Sequence, residues 1–255
     1  MVGNPDKAVG TLDRGLAILD YLASVREATV PEIAEALRLT RSTTYRLVGR
    51  LGQAGYLAPA SSGQWRLGPA AARLAMTAVQ STDVVHAAPD LLRSLAQQTR
   101  ETVGLGVCNA DEMIFVYRER GPQAVSVSAE IGARRPLHCT AVGKAYLAAL
   151  PDGERRAILR RITLTTYTPR TITSRNLLEA ELADVHRRGW SSERREFSDA
   201  AACCGAAVLD RTGHPVAAIS TAGPAGRMER SFARIAPIVA STAEAISRRL
   251  GYAPR

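Results

Sequence analysis

The sequence predicts an α+β protein with a winged helix-turn-helix domain at its amino-terminal end and a larger mixed domain after it. Three observations carry that expectation. Residues 36–82 contain six arginines and neither aspartate nor glutamate. Two short capped helical patterns meet at a tight turn inside or beside that block. From about residue 102, strand-like and helix-like stretches alternate to the carboxyl end.

In chain order, Leu12, Leu16, Ile18, Leu19 and Leu22 recur at helical spacing and predict a first helix packed under the next two. Thr29 is placed to cap a second helix, with Pro31 just inside its start and Ile33, Ala34 and Leu37 on one face. After Arg38 and Leu39, Thr40 is placed to cap a third helix. In it Tyr45, Leu47, Val48 and Leu51 supply an apolar stripe, and Arg41, Ser42, Thr43, Thr44 and Arg46 remain polar. Gly55-Tyr-Leu-Ala-Pro59, Ala60-Ser-Ser-Gly63 and Gln64-Trp-Arg-Leu67 then predict a strand, a turn and a strand, closed by Gly68 and Pro69. Trp65 is expected to anchor this wing, because a duplex offers no unstacked base. Residues 69–81, with Ala71, Leu74, Ala75, Ala78 and Val79, predict a connecting helix, and Asp83 is the first acid since Glu35. The expected divisions are therefore 1–68, 69–82 and 83–255.

Such a basic second helix of a helix-turn-helix suits double-stranded DNA. At its amino-terminal end short hydroxyls and arginines reach base edges and phosphates together, and arginine bridges guanine by two hydrogen bonds. Arg41, Ser42, Thr43 and Thr44 are the candidates for base contacts. Arg38, Tyr45, Arg46 and Arg50 are candidates for phosphate contact or packing, and Arg66 for the backbone or minor groove beside the wing. One such motif makes few base contacts, so a dimer on a palindromic operator is expected, paired through the first and connecting helices.

In the larger domain, residues 102–107, 113–117 and 125–129 predict strands of a meander. Residues 141–150, 154–161 and 177–188 predict helices, the last ending at Gly189. Strands return at 203–209 and 215–221, and a long helix over about 230–250 carries Phe232, Ile235, Ile238, Val239 and Ile246 on one face and stops at Gly251. The 255 residues carry a formal charge of +9, of which residues 1–82 account for only +3, from nine basic and six acidic side chains. The charge is thus spread, and only the acid-free block is informative. Four cysteines, no signal-peptide pattern and no apolar run near the roughly 20 residues of a membrane span point to a reducing, cytoplasmic setting.

Several blocks resemble the IclR-type transcriptional regulators. In the first domain they are Leu12-Asp-Arg-Gly-Leu-Ala-Ile-Leu19, Glu32-Ile-Ala34, Ser42-Thr-Thr-Tyr-Arg-Leu47, Gly55-Tyr-Leu57 and Arg66-Leu-Gly68. Further along they are Leu137-His-Cys-Thr-Ala-Val-Gly-Lys-Ala-Tyr-Leu-Ala148, Thr171-Ile-Thr173, Arg188-Gly-Trp190, Glu196-Phe197 and Ala217-Ala-Ile-Ser-Thr-Ala-Gly-Pro224. The resemblance implies a GAF-like effector-binding domain, a small organic effector that is frequently a carboxylate or aromatic acid, and dimers paired further into dimers of dimers. Carried over by motif, it implies a pocket that includes Ala141, Val142, Glu193, Cys203, Ser220 and Ala222. Relatives in that family that hold a small carboxylate often have glycine where Ala141 stands and a hydroxyl where Ala222 stands, which points away from a two- or three-carbon acid. Glu193 is left open: protonated, bonded to a ligand hydroxyl, or turned outward.

Other classes draw less from the sequence. An enzyme with Cys203 or Cys139 as nucleophile and His138 as base needs an orienting group and an oxyanion site that no spacing supplies. The four scattered histidines offer no zinc-like ligand set, so neither metal nor cofactor is expected. Gly143-Lys144 lacks the earlier glycine of a phosphate loop, since His138 stands there. An architectural DNA binder without an effector remains a second reading. The pairs Arg155-Arg156, Arg160-Arg161, Arg187-Arg188 and Arg194-Arg195 are expected to be solvated faces.

Overall fold

The structure, a computed structural model, describes residues 10–80, 83–123 and 130–253. The strand expected at 125–129, the end of the connecting segment at Ser81 and Thr82, and the side chains of Ala78 and Val79 lie outside the description. The chain divides into two compact units, Met1–Ser81 and Thr82–Arg255.

In the first unit, α1 (Thr11–Val25), α2 (Val30–Ala36) and α3 (Arg41–Gln53) enclose Ile18, Leu22, Val30, Ile33, Leu47 and Val48. Thr29 and Glu32 form a reciprocal capping box at α2, and Thr40 accepts from the Thr43 amide at 3.3 Å to cap α3. Arg38 takes a left-handed φ of 53° in the turn between them, where the Leu39 amide donates to the Ala34 carbonyl at 2.9 Å. The wing is β2 (Leu57–Pro59) and β3 (Gln64–Leu67). A short β1 (Glu27–Thr29), absent from the expectation, pairs with β3 and makes the order β1-β3-β2. Trp65 packs against the core and fills the space beside Gly52. The helix expected over 69–81 is α4 (Pro69–Gln80), which falls within the first unit. Two expectations about α1 need correction: Leu12 and Leu16 are 74% and 52% exposed, because Ile18 and Leu22 already fill the seam beneath the other helices.

Among the described residues the second unit is built on a six-stranded antiparallel sheet in the order β6-β5-β4-β9-β8-β7. Its strands are β4 (Thr102–Asn109), β5 (Glu112–Glu119), β6 (Arg134–Pro136), β7 (Ser191–Arg194), β8 (Ala201–Leu209) and β9 (Pro215–Pro224). Alternation along these strands builds two cores. Val103, Leu105, Cys204, Ala206, Ala217 and Ile219 face α5 (Asp83–Ala87), α6 (Pro89–Thr99) and α10 (Ala225–Arg249). Met113, Phe115 and Ala218 face α7 (Ala141–Ala149), α8 (Asp152–Arg161) and α9 (Arg175–Arg188). The elements α5, α6, β6 and β7 were not anticipated. None of the four arginine pairs is merely solvated: Arg155 bonds Asp152, Arg161 bonds Asp111, Arg188 stacks on Trp190 and bonds Glu181, Arg194 lies over Phe232, and Arg195 bonds both oxygens of Glu229. An aromatic face or a carboxylate within reach turns an arginine into a clasp.

Candidate functional site

The first candidate surface is the outer face of α3 with the wing. Arg41, Ser42, Tyr45, Arg46 and Arg50 are exposed, Thr43 is half-buried, and Arg38 and Arg66 are exposed beside them. No ion pair among the described residues engages Arg41, Arg46 or Arg50, so their charge is available to an anion. Thr44 and Tyr45 exchange their expected places. Thr44 is fully buried and its hydroxyl donates to the Thr40 carbonyl at 3.1 Å, so it cannot meet a base; Tyr45 is 60% exposed. The buried stripe is Thr44, Leu47, Val48 and Leu51, and a residue one step on from Thr44 turns about 100° toward solvent.

The second is a cavity of about 370 Å³ in the larger unit, walled by the α7 side of the sheet and the start of α7. All six carried-over positions, Ala141, Val142, Glu193, Cys203, Ser220 and Ala222, line it. Strand register explains why. Glu193 pairs with Cys203 and Cys203 with Ala222 across β7, β8 and β9, and the neighbouring row runs Ser191, Gly205, Ser220 and Gly104. Cys204 turns to the opposite core, as period-two alternation requires.

Glycine seats the helix on this sheet. A Cβ at Gly205 would stand 2.8 Å from the Ala141 carbonyl oxygen, and one at Gly143 would stand 2.5 Å from the Leu137 Cα. The Ser191 hydroxyl donates to that same Ala141 carbonyl at 2.6 Å. Thr140 caps α7 by accepting from the Gly143 amide at 3.2 Å while donating to the Pro136 carbonyl at 2.7 Å. The Ala141 and Val142 amides are left without partners inside the helix, at the positive end of its dipole and on the cavity wall.

Glu193 is 2% exposed and points inward. Its Oε1 accepts from the amides of Glu196 and Phe197 at 2.6 and 3.2 Å, and Cys203 is its register partner on the neighbouring strand. Burial raises its carboxyl to about 6 against these bonds, which favour the charged form. Behind the loop that follows, fully buried Lys144 bonds Glu196 at 2.7 Å, Thr168 donates to the Arg195 carbonyl at 2.6 Å, and Thr171 donates to the Glu196 carbonyl at 2.6 Å. This clamp fixes Glu193 and Phe197 relative to α7.

Sequence reasoning missed Phe115, Arg135, Thr140, Phe197, Ser198, Ala200 and Ala201 as lining residues. Thr140 was legible as a cap and Phe197 lay in a matched block. Nothing local marks Arg135, which reaches the cavity because the short edge strand β6 pairs it with Met113. The nucleophile reading also meets its chemistry here. Burial holds the Cys203 thiol well above its usual range and that of Cys139 at about 12. His138, pushed down by burial, uses Nε2 on the Thr165 carbonyl at 3.0 Å. Thiols kept protonated are poor nucleophiles. Among the described residues no group of three His, Cys, Asp or Glu is placed to hold a metal, and no helix is long and apolar enough to cross a membrane.

Comparison with known proteins places this geometry in context. The family model for the bacterial transcriptional regulator IclR carboxyl-terminal domain matches residues 76–248, and that for the IclR helix-turn-helix domain matches residues 11–60. The HTH-type transcriptional repressor AllR of Klebsiella pneumoniae is 32% identical over 252 residues, 98% of this chain and 93% of that protein. The HTH-type transcriptional regulator BhcR of Paracoccus denitrificans is 32% identical over 250 residues, covering 97% and 88%. The crystal structure of Thermotoga maritima IclR superposes with a TM-score of 0.77 at 28% identity, covering 95% of this chain and 99% of that one. An IclR homolog complexed with 4-hydroxybenzoate from Microbacterium hydrocarbonoxydans has the same fold, with a TM-score of 0.82 at 24% identity over 94% of this chain and 99% of that one. The matched curated proteins are named as regulators and repressors, which sets the enzyme reading aside.

Proposed function

We propose, from the premise that this chain belongs to the IclR family of bacterial transcriptional regulators, that it reads a palindromic operator as a dimer or dimer of dimers and that a small organic acid in the cavity alters that binding. The observation that carries the reading is the coexistence of two complementary sites in one chain. An outward helix face with uncommitted arginines suits DNA, and a mostly apolar cavity with a few convergent polar groups suits a metabolite.

The proposed DNA contacts are Arg41, Ser42 and Thr43 to bases, and Arg38, Tyr45, Arg46, Arg50 and Arg66 to the backbone. Exposed Leu12 and Leu16 on α1 and Leu74 on α4 supply the apolar surface that pairing through these helices requires. The ligand changes DNA binding only if it favours one arrangement of the paired winged domains, since equal affinity for both shifts nothing. The setting is the cytoplasm.

The test is binding of the purified protein to DNA upstream of its own and neighbouring genes, at one stated salt concentration, with and without a panel of small organic and aromatic acids. The expected result is sequence-preferred binding that one acid strengthens or releases. Preferred binding that no acid moves would leave an architectural DNA binder.

A further inference from the structure

A second concave surface lies on the larger unit and shares no lining residue with the cavity beside α7. It is a groove of about 440 Å³ between α6 and the segment that leaves β5, and its polar lining is Arg93, Gln97, Arg100, Glu119 and Arg120. Two features of the chain put arginines side by side there. Arg100 ends α6 in a left-handed conformation, φ 62° and ψ 17°, with its amide donating to the Ala96 carbonyl at 2.8 Å. Gly121 runs against that same turn: a Cβ on it would stand 2.6 Å from the Arg100 carbonyl oxygen, so glycine is what lets the two backbones approach. Arg120, one residue earlier, is thereby held beside Arg100 on the groove.

The charges of the groove do not balance. Three guanidinium groups line it against one carboxylate, and that carboxylate is already engaged, since the Tyr117 hydroxyl donates to Glu119 at 2.9 Å and Arg93 stands 4.0 Å from it. The nearest acid in sequence to Arg100 is Glu101, which is 3% exposed and holds Arg227 by both oxygens. Arg100 and Arg120 are exposed, and among the described residues no carboxylate pairs with either. Elsewhere in this unit arginines meet acids, as Arg188 does Glu181, Arg195 does Glu229 and Arg249 does Asp90. A concave surface with surplus positive charge concentrates anions. A carboxylate offers one edge to one fork, whereas a phosphate presents oxygens on every side and accepts two forks at once from different elements.

We propose that this groove is a phosphate-binding site separate from the effector cavity, with Arg100 and Arg120 forking onto the phosphoryl oxygens and Arg93 and Gln97 completing the shell. Glu119 weakens the pull on every anion, so an anion binds only by engaging both forks. The phosphate belongs to a small phosphorylated molecule or to a nucleic-acid backbone, and the chemistry of the groove is common to both. The inference goes beyond the operator and effector readings, and it depends on neither the α3 face nor the cavity beside α7.

The experiment is calorimetric titration of the full-length protein with pyrophosphate, inorganic phosphate and acetate at constant ionic strength, repeated on Arg100→Gln, Arg120→Gln, Arg100→Gly, Glu119→Gln and Arg160→Gln. Thermal unfolding checks each variant. Expected are saturable binding of pyrophosphate, weaker binding of phosphate and no competition from acetate. Arg100→Gln and Arg120→Gln each weaken pyrophosphate by tenfold or more, Glu119→Gln tightens it, and Arg160→Gln, which removes an exposed charge on α8, leaves it unchanged. Arg100→Gly weakens it as Arg100→Gln does while raising the unfolding midpoint, because glycine relieves the left-handed turn; the lost binding is then not lost structure. No saturable binding of pyrophosphate, binding that survives both glutamine variants, or equal weakening by Arg160→Gln would overturn the assignment. A duplex of arbitrary sequence separates the sources. Displacement of pyrophosphate by the duplex, in the parent and in Arg46→Ala alike, assigns the groove to a nucleic-acid backbone, and retention under saturating duplex assigns it to a free phosphorylated molecule. Sequence-preferred operator binding with no pyrophosphate bound sinks this inference alone, whereas pyrophosphate binding as described without operator preference sinks the regulatory reading alone.

Discussion

The outer face of α3 and the cavity beside α7 both begin with a threonine cap and a helix amino terminus, yet they put those parts to opposite use. On α3 the arginines turn out to solvent and find no ion-pair partner among the described residues. At α7 the helix start is pressed onto a sheet, and the charged groups around it are buried, clamped and shifted in protonation. A surface reader needs only composition and periodicity. A cavity needs register, since each of its groups comes from a different strand or loop.

That contrast breaks most sharply at Gly143. A methyl group there would press on the Leu137 backbone, which cannot yield as a flexible side chain does. Gly143→Ala is expected to destabilise the larger unit by at least the roughly 1–3 kcal/mol of core overpacking. Helix propensity alone favours the alanine by about 1 kcal/mol and gives the opposite sign. Gly49, in α3, has nothing within 4 Å of such a methyl, and Gly49→Ala is expected to be neutral or stabilising. Denaturant unfolding of both variants checks the pair. Equal effects would mean that α7 is not seated on its neighbours as described.

Glu193 gives the next largest effect, and its sign is definite. Its folded carboxyl titrates near 6 and its unfolded reference is 4.5, so the folded state holds the proton more tightly. Stability therefore falls as pH rises from about 4.5 to about 6 and stays lower above that. The difference between the two states corresponds to about 2 kcal/mol. Glu193→Gln keeps an oxygen to accept from the Glu196 and Phe197 amides but has no charge to bury. Its stability relative to the parent is expected to rise across that window and level off above it. Denaturant midpoints at about pH 4 and pH 7 measure the difference; the same difference at both would place the charge in water.

These residues also show what sequence reading reaches. The helix-turn-helix, its caps and its wing followed from local patterns, because Thr29, Thr40, Pro31 and Gly55 act within a few residues of themselves. Phe115, Arg135 and Glu193 are brought together by pairing across six strands, and no local period encodes that. The six matched cavity positions were found by resemblance. Arg135 was not, because it lies just ahead of the matched block on a three-residue edge strand. The missed α6 did leave a signal, since Pro89 opens it and Leu92, Leu95 and Ala96 repeat at helical spacing.

On the DNA side the effects are smaller and electrostatic. Arg46→Ala is expected to weaken binding to every DNA alike and to lower the slope of log affinity against log salt by about 1, with unfolding unchanged. Loss of preference at one base pair, with the salt slope intact, would instead move Arg46 from the backbone to a base.

The finest distinction lies between two neighbouring threonines. Thr43 is half-buried at the amino-terminal end of α3, and Thr44 is wholly inside. Thr43→Ala is expected to change preference at particular base pairs while leaving the salt slope alone. Thr44→Val keeps the shape but removes the hydroxyl that donates to the Thr40 carbonyl, which costs about 1 kcal/mol of stability. It leaves operator preference as it was. A shared effect on sequence preference would require α3 to rotate by most of one residue's 100° step, and that rotation would withdraw Arg41 and Tyr45 from the face assigned to DNA. Binding to a panel of single-base operator variants separates the two outcomes, because a rotated helix changes which base pairs respond, whereas a weakened core lowers affinity for all of them together.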